Sequence, residues 1–274
     1  MMKLITISVV LYNTSLFDIE AVINSVDFTI CDLVFFDNSN SASIKEYVER
    51  FAEVSYVSIG KNIGFGAAHN IVLKNTSLDT RYVLVLNPDV FFEKSLLKNL
   101  LSIYNVKKNV GIVAPKVVYP NGDLQYTCRL LPSIKDLLIR KFVIMTKGEN
   151  SLELGDLRFT GYSKEMNVPF VLGCFLLLER SLYNAIGGFD ERFFMYMEDL
   201  DLCRKVLCAE KDILFIPDVS ITHRYGKGSR RYFKLMRYHF VSMMKYYNKW
   251  GWLFDEDRKR INNKVLLELG KLHQ

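Results

Sequence analysis

Four apolar runs in the first third of the chain each stop at a short polar cluster, and this repetition constrains the fold more than any other feature. Residues 4–11 (LITISVVL) end at Tyr12-Asn13-Thr14, residues 33–36 (LVFF) at Asp37-Asn38-Ser39, residues 54–59 (VSYVSI) before Lys61-Asn62, and residues 82–86 (YVLVL) at Asn87-Pro88-Asp89. All four predict strands; residues 4–11, rich in β-branched residues and too apolar to leave one face wet, predict one buried on both faces, and 82–86 reads as another buried strand. Helical patterns lie between them: 16–25 with Ser15 as N-cap, 44–51, and about 67–73 after a Gly-rich turn. Strands alternating with helices predict a parallel, doubly wound α/β sheet. Ligands on such sheets bind beyond the carboxyl ends of the strands, where the four clusters stand. Asn, Asp and Pro also make turns, so one cluster alone has a local explanation; four in register point to a site.

The second half is less regular. Residues 117–119 and the PNGD that follows predict a strand and tight turn, 168–178 another buried strand, and 181–186 a short helix ending at Gly187-Gly188. Residues 132–165 hold several turn formers and read as a mobile excursion over the site. A net charge of +6 suggests an acidic partner: nucleic acid, a phosphorylated small molecule or an anionic membrane. None of the familiar nucleic-acid-binding signatures is present, so nucleic acid is not expected. Five cysteines without a C-x-x-C pair predict a reduced, cytosolic chain with no disulfide framework or thiolate zinc site. The N-terminal apolar run lacks an A-x-A cleavage site and reads as a buried first strand, and no run reaches the roughly 18 apolar residues of a membrane span.

Four stretches carry chemistry. In KNIGFGAAHN (61–70), two glycines at a strand-to-helix turn let the backbone approach a ligand, although neither a dinucleotide fingerprint nor a P-loop is complete; His69 reads as a packing or turn-bonding residue. In VLVLNPDV a buried strand delivers Asp89 past a proline, suited either to a turn or to a Mg²⁺-type cation that takes one or two carboxylates. In FFMYMEDLDLCRK (193–205), Glu198, Asp199 and Asp201 open a helix, where acids complement the macrodipole and Asp201 can pair with Lys205. That does not explain the apolar approach. Apolar walls raise a carboxylate's pKa and can make it a general base. In ITHRYGKGS (221–229), His223 is structural or a metal ligand, and Arg224 and Lys227 could meet phosphate.

In order, VVLYN, FFDNSN, NIGFGAAHN, VLNPDV, GCFLLLERSLYNAIGGFDERFFMYMEDLDLC and HRYGKGS resemble glycosyltransferase family 2, the inverting GT-A transferases, and especially its rhamnosyltransferase-like branch from bacterial surface-polysaccharide assembly. The resemblance implies a GT-A fold, a Rossmann-like mostly parallel sheet flanked by helices. It implies that Asp37 contacts the nucleotide base or ribose, and that Tyr12, Asn13, Asn62, Gly64 and Asn87 belong to the donor-nucleotide pocket. Asp89 occupies the second acid of the D-x-D motif, with His223 a further ligand to Mg²⁺ or Mn²⁺ and Lys227 on the diphosphate. Asp199, beside Glu198, is implied as the base that deprotonates the acceptor hydroxyl, with FFMYM walling the acceptor cleft. The first acid of D-x-D is Asn87 here, which carries no charge and weakens the expectation of metal dependence. The implied donor is dTDP-rhamnose, with UDP-hexoses as alternatives, and the implied acceptor a glycan or undecaprenyl-diphosphate-linked sugar in O-antigen- or capsule-type assembly. A nucleotide-sugar-binding partner without turnover is the other reading.

Residues 1–228 are the expected catalytic domain and 229–274 a C-terminal extension, aromatic, basic and helical. Arg230, Lys234, Arg237, Lys245 and Lys249 fall close to one helical stripe among Tyr, Phe and Met. Such a helix either lies on an anionic membrane surface, which the family resemblance implies is the inner face of the cell membrane, or packs on the catalytic domain.

Overall fold

The computed structural model describes residues 3–75, 78–137, 152–224 and 233–272. Strand β1 (Ile5–Leu11) lies between β2 (Cys31–Asp37) and β4 (Tyr82–Leu86), parallel to both, and β3 (Val54–Val57) extends the parallel set beyond β2. Across β4 the direction reverses: β11 (Phe175–Glu179) runs antiparallel to β4 and to β6 (Val110–Val118). Beyond β6 come parallel β12 (Asp212–His223) and antiparallel β5 (Val90–Phe91), giving the order β3-β2-β1-β4-β11-β6-β12-β5, with short β7 (Leu124–Gln125) paired to β6 and β9 (Met166–Asn167) to β12. The sheet is mixed and mostly parallel, as the GT-A resemblance implied; the alternation of strands and helices by itself pointed to a wholly parallel one.

Period-2 alternation explains why the runs are apolar throughout. In β2, Val34 and Phe36 enter one core while Leu33 and Phe35 enter the other; in β4, Val83 and Val85 oppose Tyr82, Leu84 and Leu86 in the same way. Helices α1 (Leu16–Ser25), α2 (Ala42–Val48), α3 (Phe65–Leu73) and α4 (Leu96–Val106) follow the strands of the first half. Ser15 caps α1 as predicted, its Oγ accepting from Asp18 N. The sequence reading did not single out α4 or the start of β6.

Two expectations change. The apolar stretch 168–178 is not one strand: β10 (Phe170–Val171) pairs with β8 (Cys128–Arg129) in a separate ribbon, and Leu172-Gly173-Cys174 turns the chain before β11. Residues 132–165 are not a loose excursion where described. Leu157 and Tyr162 are buried, and the Tyr162 hydroxyl donates to the carbonyls of Cys128 and Asp156 while accepting from Cys128 N.

After α5 (Arg180–Ala185) and α6 (Glu198–Cys208), the chain ends in α7 (Phe233–Trp250) and α8 (Glu256–Glu268). The expected 228/229 boundary falls outside the described residues. Buried Arg204 of α6 pairs with buried Asp255, the N-cap of α8, and lies 4.5 Å from the Trp250 ring. Tyr246 and Tyr247 are buried. One face of the extension therefore packs on the sheet domain. Among the described residues no helix is long and apolar enough to cross a membrane. The five cysteines are free thiols, four of them buried.

Candidate active site

The predicted site residues fall into three groups at the carboxyl ends of β1, β2, β4 and the loops that face them. At the first, Asp37 is fully buried and its carboxylate shapes its own turn, accepting from Ser39 N at 2.8 Å, Ser41 N at 2.7 Å and the Tyr56 hydroxyl at 2.8 Å. Burial pushes its pKa up, but these hydrogen bonds outweigh that and hold it below the ordinary range. Tyr12 is about half exposed and Asn13 adopts a left-handed conformation (φ 52°), so the end of β1 opens to solvent. Asn38, not singled out in the sequence, pins the next turn: its Nδ2 donates to Gly64 O at 3.1 Å and its Oδ1 accepts from Ile63 N at 3.1 Å. Asn62 Oδ1 accepts from Gly64 N at 2.9 Å. Gly64 has φ 91°, and a Cβ there would sit 2.3 Å from Phe194 O, so only glycine fits. Phe65 N donates to that same Phe194 O at 3.0 Å, joining this turn to the FFMYM loop. His69 is a packing residue: buried, bonded through Nδ1 to Ser8 Oγ at 2.8 Å, its pKa pushed down to about 3 by burial.

The second group unites the expected metal ligands. Pairing of β12 with β5 sets His223 opposite Val90, which brings His223 Nε2 to 3.3 Å from Asp89 Oδ1. His223 Nδ1 lies 3.0 Å from Gln125 Oε1, an acceptor, so Nδ1 carries a proton and Nε2 faces Asp89. Burial pulls the His223 imidazole pKa down, but bonding to Asp89 and Cys174 outweighs it and pushes the value up to about 10. Among the described residues no cluster of three or more His, Cys, Asp or Glu could hold a metal. A carboxylate plus an oriented imidazole still fits a cation that completes its shell with phosphate oxygens and water. Arg224 does not extend freely toward a phosphate: its guanidinium pairs with Asp18 at 3.0 Å and stacks on Phe17 at 3.9 Å. Lys227 lies outside the described residues.

The third group is the acid pair. Tyr196 and Met197 both have φ 68°, unusual for side chains of this size, and α6 begins directly after them. Asp199 Oδ2 accepts from Gly173 N at 3.0 Å and Oδ1 from Leu200 N at 2.8 Å. Burial raises the Asp199 pKa above the ordinary value despite those bonds. Glu198 is buried, its Oε2 has no hydrogen-bond partner, and burial followed by the neighbouring Asp199 charge drives its pKa well up. The expected Asp201–Lys205 pairing does not form: Lys205 donates to Gly188 O, and Asp201 binds Lys249 and Trp250 instead. The second and third groups meet at one turn, since Asn87 N donates to Cys174 O at 2.9 Å, one residue from the amide that holds Asp199.

The sequence model described as "Glycosyl transferase family 2" matches residues 10–187. The rhamnosyltransferase WbbL of Escherichia coli K12 is 28% identical over 221 residues, which cover 77% of this chain and 79% of that protein. An N-acetylglucosaminyl-diphospho-decaprenol L-rhamnosyltransferase of Mycobacterium tuberculosis is 27% identical over 209 residues, 71% of this chain and 66% of that one. Among solved structures, GalNAc-T7 with UDP, GalNAc and Mn²⁺ superposes with a TM-score of 0.59 at 13% identity, covering 82% of this chain but less than half (44%) of its own. TarS 1-349 of S. aureus superposes with a TM-score of 0.56 at 17% identity, covering 96% of this chain and 70% of its own. At such identities these two bear on the fold alone, which is that of the GT-A glycosyltransferases. With the family match spanning well over half its length, the chain belongs to glycosyl transferase family 2 and is a glycosyltransferase.

Proposed function

We propose that this enzyme transfers a sugar with inversion, rhamnose from dTDP-rhamnose in the first instance, to a glycan or a lipid-diphosphate-linked acceptor in O-antigen- or capsule-type assembly. The carrying observation is Asp199: a half-buried carboxylate of raised pKa, aimed by the amide of Gly173, whose turn also holds the end of β4. Such a group takes the proton from the incoming hydroxyl, a role typically worth ~10²–10⁴ in rate. Glu198 beside it supplies a second acid whose partnerless Oε2 can hydrogen-bond the acceptor. Rhamnosyltransferase names among the relatives support the donor; UDP-hexoses are the alternative.

Tyr12, Asn13, Asn62, Gly64 and Asn87, with the turn shaped by Asp37, line the nucleotide pocket in this reading. Asp89 and His223 would hold Mg²⁺ or Mn²⁺, which when bound neutralises charge on the departing diphosphate; Lys227 is assigned to the same diphosphate. The extension engages the inner membrane surface with the face of α7 turned away from the domain. There Met236, Phe240 and Val241 are exposed beside Lys234 and Arg237, a mixture suited to an anionic interface.

The test is a panel of dTDP- and UDP-sugars with Mg²⁺ or Mn²⁺, with and without a lipid-diphosphate-linked acceptor, following nucleoside diphosphate release. Release from dTDP-rhamnose supports the donor, and release from a UDP-hexose replaces it. Silence with acceptor present, alongside tight donor binding, favours the non-catalytic binding protein.

A further inference from the structure

Helix α7 takes no part in the chemistry above, yet it grips the loop that carries the acid pair. It contains no acidic residue, and two of its lysines turn inward. Lys245 Nζ donates to Arg192 O at 2.5 Å. Lys249 Nζ lies 2.8 Å from Asp190 Oδ2 and 2.7 Å from Asp201 Oδ1, and Trp250 Nε1 donates to the same Asp201 oxygen at 2.7 Å. Asp190 opens the loop and Asp201 lies in the first turn of α6. Between them run FFMYM, Glu198 and Asp199. One ammonium therefore bridges the two ends of the catalytic segment.

The loop needs such a brace. Two successive bulky residues at φ 68° persist only when the surroundings over-determine them, each costing about 1–3 kcal/mol. Helix α7 supplies contacts along the whole stretch: Phe194 meets the Tyr238 ring at 4.7 Å, Ser242 Oγ donates to Met195 O at 2.7 Å, and Tyr196 meets the His239 ring at 5.3 Å. Asp201 is fully buried, so its charge is compensated by Lys249 and the Trp250 N–H and not by water. Charge-assisted bonds of this kind are roughly twice as strong as neutral ones.

We propose that Lys249 is a positioning residue for sugar transfer: by tying Asp190 to Asp201 it holds the Phe193–Met197 turn in the conformation that aims Asp199. It acts through those two carboxylates and not at the reacting atoms. The inference rests on the reading of Asp199 as the base, and its test separates the two.

Lys249→Met, Lys249→Arg, Asp190→Asn and Asp199→Asn are compared in the full chain, reading kcat, donor KM and the pH profile of kcat with the donor the panel identifies. Lys249→Met is expected to lower kcat by about 10–100-fold, the scale of a misplaced catalytic group, with donor KM unchanged within about twofold. Arg at 249 keeps the charge and its donors and is expected to restore most of kcat; Asp190→Asn, which frees one anchor at the loop's edge, is expected to reproduce a smaller kcat loss. Loosening the turn admits water to Asp199, so the acid limb of kcat moves to lower pH in Lys249→Met. Glu198 on the same helix and Arg129 on the β8–β10 ribbon, the charges that also act on Asp199, are unchanged in these variants. Full kcat in Lys249→Met with an inactive Asp199→Asn overturns the positioning role and leaves the base intact. An active Asp199→Asn overturns both. Loss of kcat and donor binding together, unrescued by Arg, marks Lys249 as a brace of the whole fold and overturns the proposal as well.

Discussion

The amide of Gly173 donates to Asp199 Oδ2 at 3.0 Å, and a Cβ on that glycine would lie 2.9 Å from the Asp199 Cβ. The turn that interrupts the apolar stretch before β11 is thus the seat of the proposed base. Gly173→Ala is expected to push Asp199 aside and lower kcat by about 10–100-fold, while nucleotide affinity is retained. Steady-state kinetics beside nucleotide titration checks this.

Gly64→Ala acts on the opposite wall. The new methyl would meet Phe194 O at 2.3 Å in a backbone held at φ 91°. Relief requires the 62–65 turn and the FFMYM loop to separate. The expected outcome is a loss of at least about 1–3 kcal/mol in stability together with weaker nucleotide binding, measured by urea unfolding and titration.

Glu198 makes stability depend on pH. Its folded pKa is raised above the unfolded value, so the stability this group allows is fully present below the unfolded pKa and is lost as pH rises toward the folded one. The loss amounts to about 1.4 kcal/mol per pH unit across that window. Glu198→Gln has no such loss. Its stability relative to wild type is therefore expected to be greater at pH 8 than at pH 5, read from urea midpoints at the two values.

The Arg204–Asp255 pair joins the extension to α6 with both partners buried. Asp255→Ala strands the guanidinium and removes the N-cap of α8. A loss of about 3–5 kcal/mol is expected, visible as a lowered Tm.

Gln125 orients His223 by accepting from Nδ1 and donating from Nε2 to His223 O at 2.5 Å. If Asp89 and His223 hold the cation, Gln125→Leu is expected to weaken the apparent Mn²⁺ affinity about 10–100-fold, measured by titrating Mn²⁺ against turnover.

The ends of β1, β2 and β4 were legible because strands covered on both faces must be apolar nearly throughout and turn polar only at their ends; β3, a partly exposed edge strand, is apolar only in part. The acid pair stood out because Glu198 and Asp199 follow an apolar run that a helix start does not require. What escaped the sequence is set by distant partners. Apolarity cannot say that 168–178 breaks at Gly173, because the break exists for a contact with Asp199. The i,i+4 spacing pointed Asp201 at Lys205, but Lys249, 48 residues away, holds Asp201. Asn38 and Gln125 do their work through backbone groups and another side chain, and neither carries a signal of its own beyond a polar residue in or after a turn. The basic stripe of α7 divides in the folded chain: Lys245 and Lys249 face the domain, while Lys234 and Arg237 face outward.

The most direct measurement is the transfer rate of Asp199→Asn at saturating donor and acceptor. Asparagine preserves size and can still accept from Gly173 N, but it cannot take a proton. The account predicts a fall of ~10²–10⁴ in kcat with nucleotide affinity unchanged. Turnover within a few-fold of wild type would contradict it and move the base to another group.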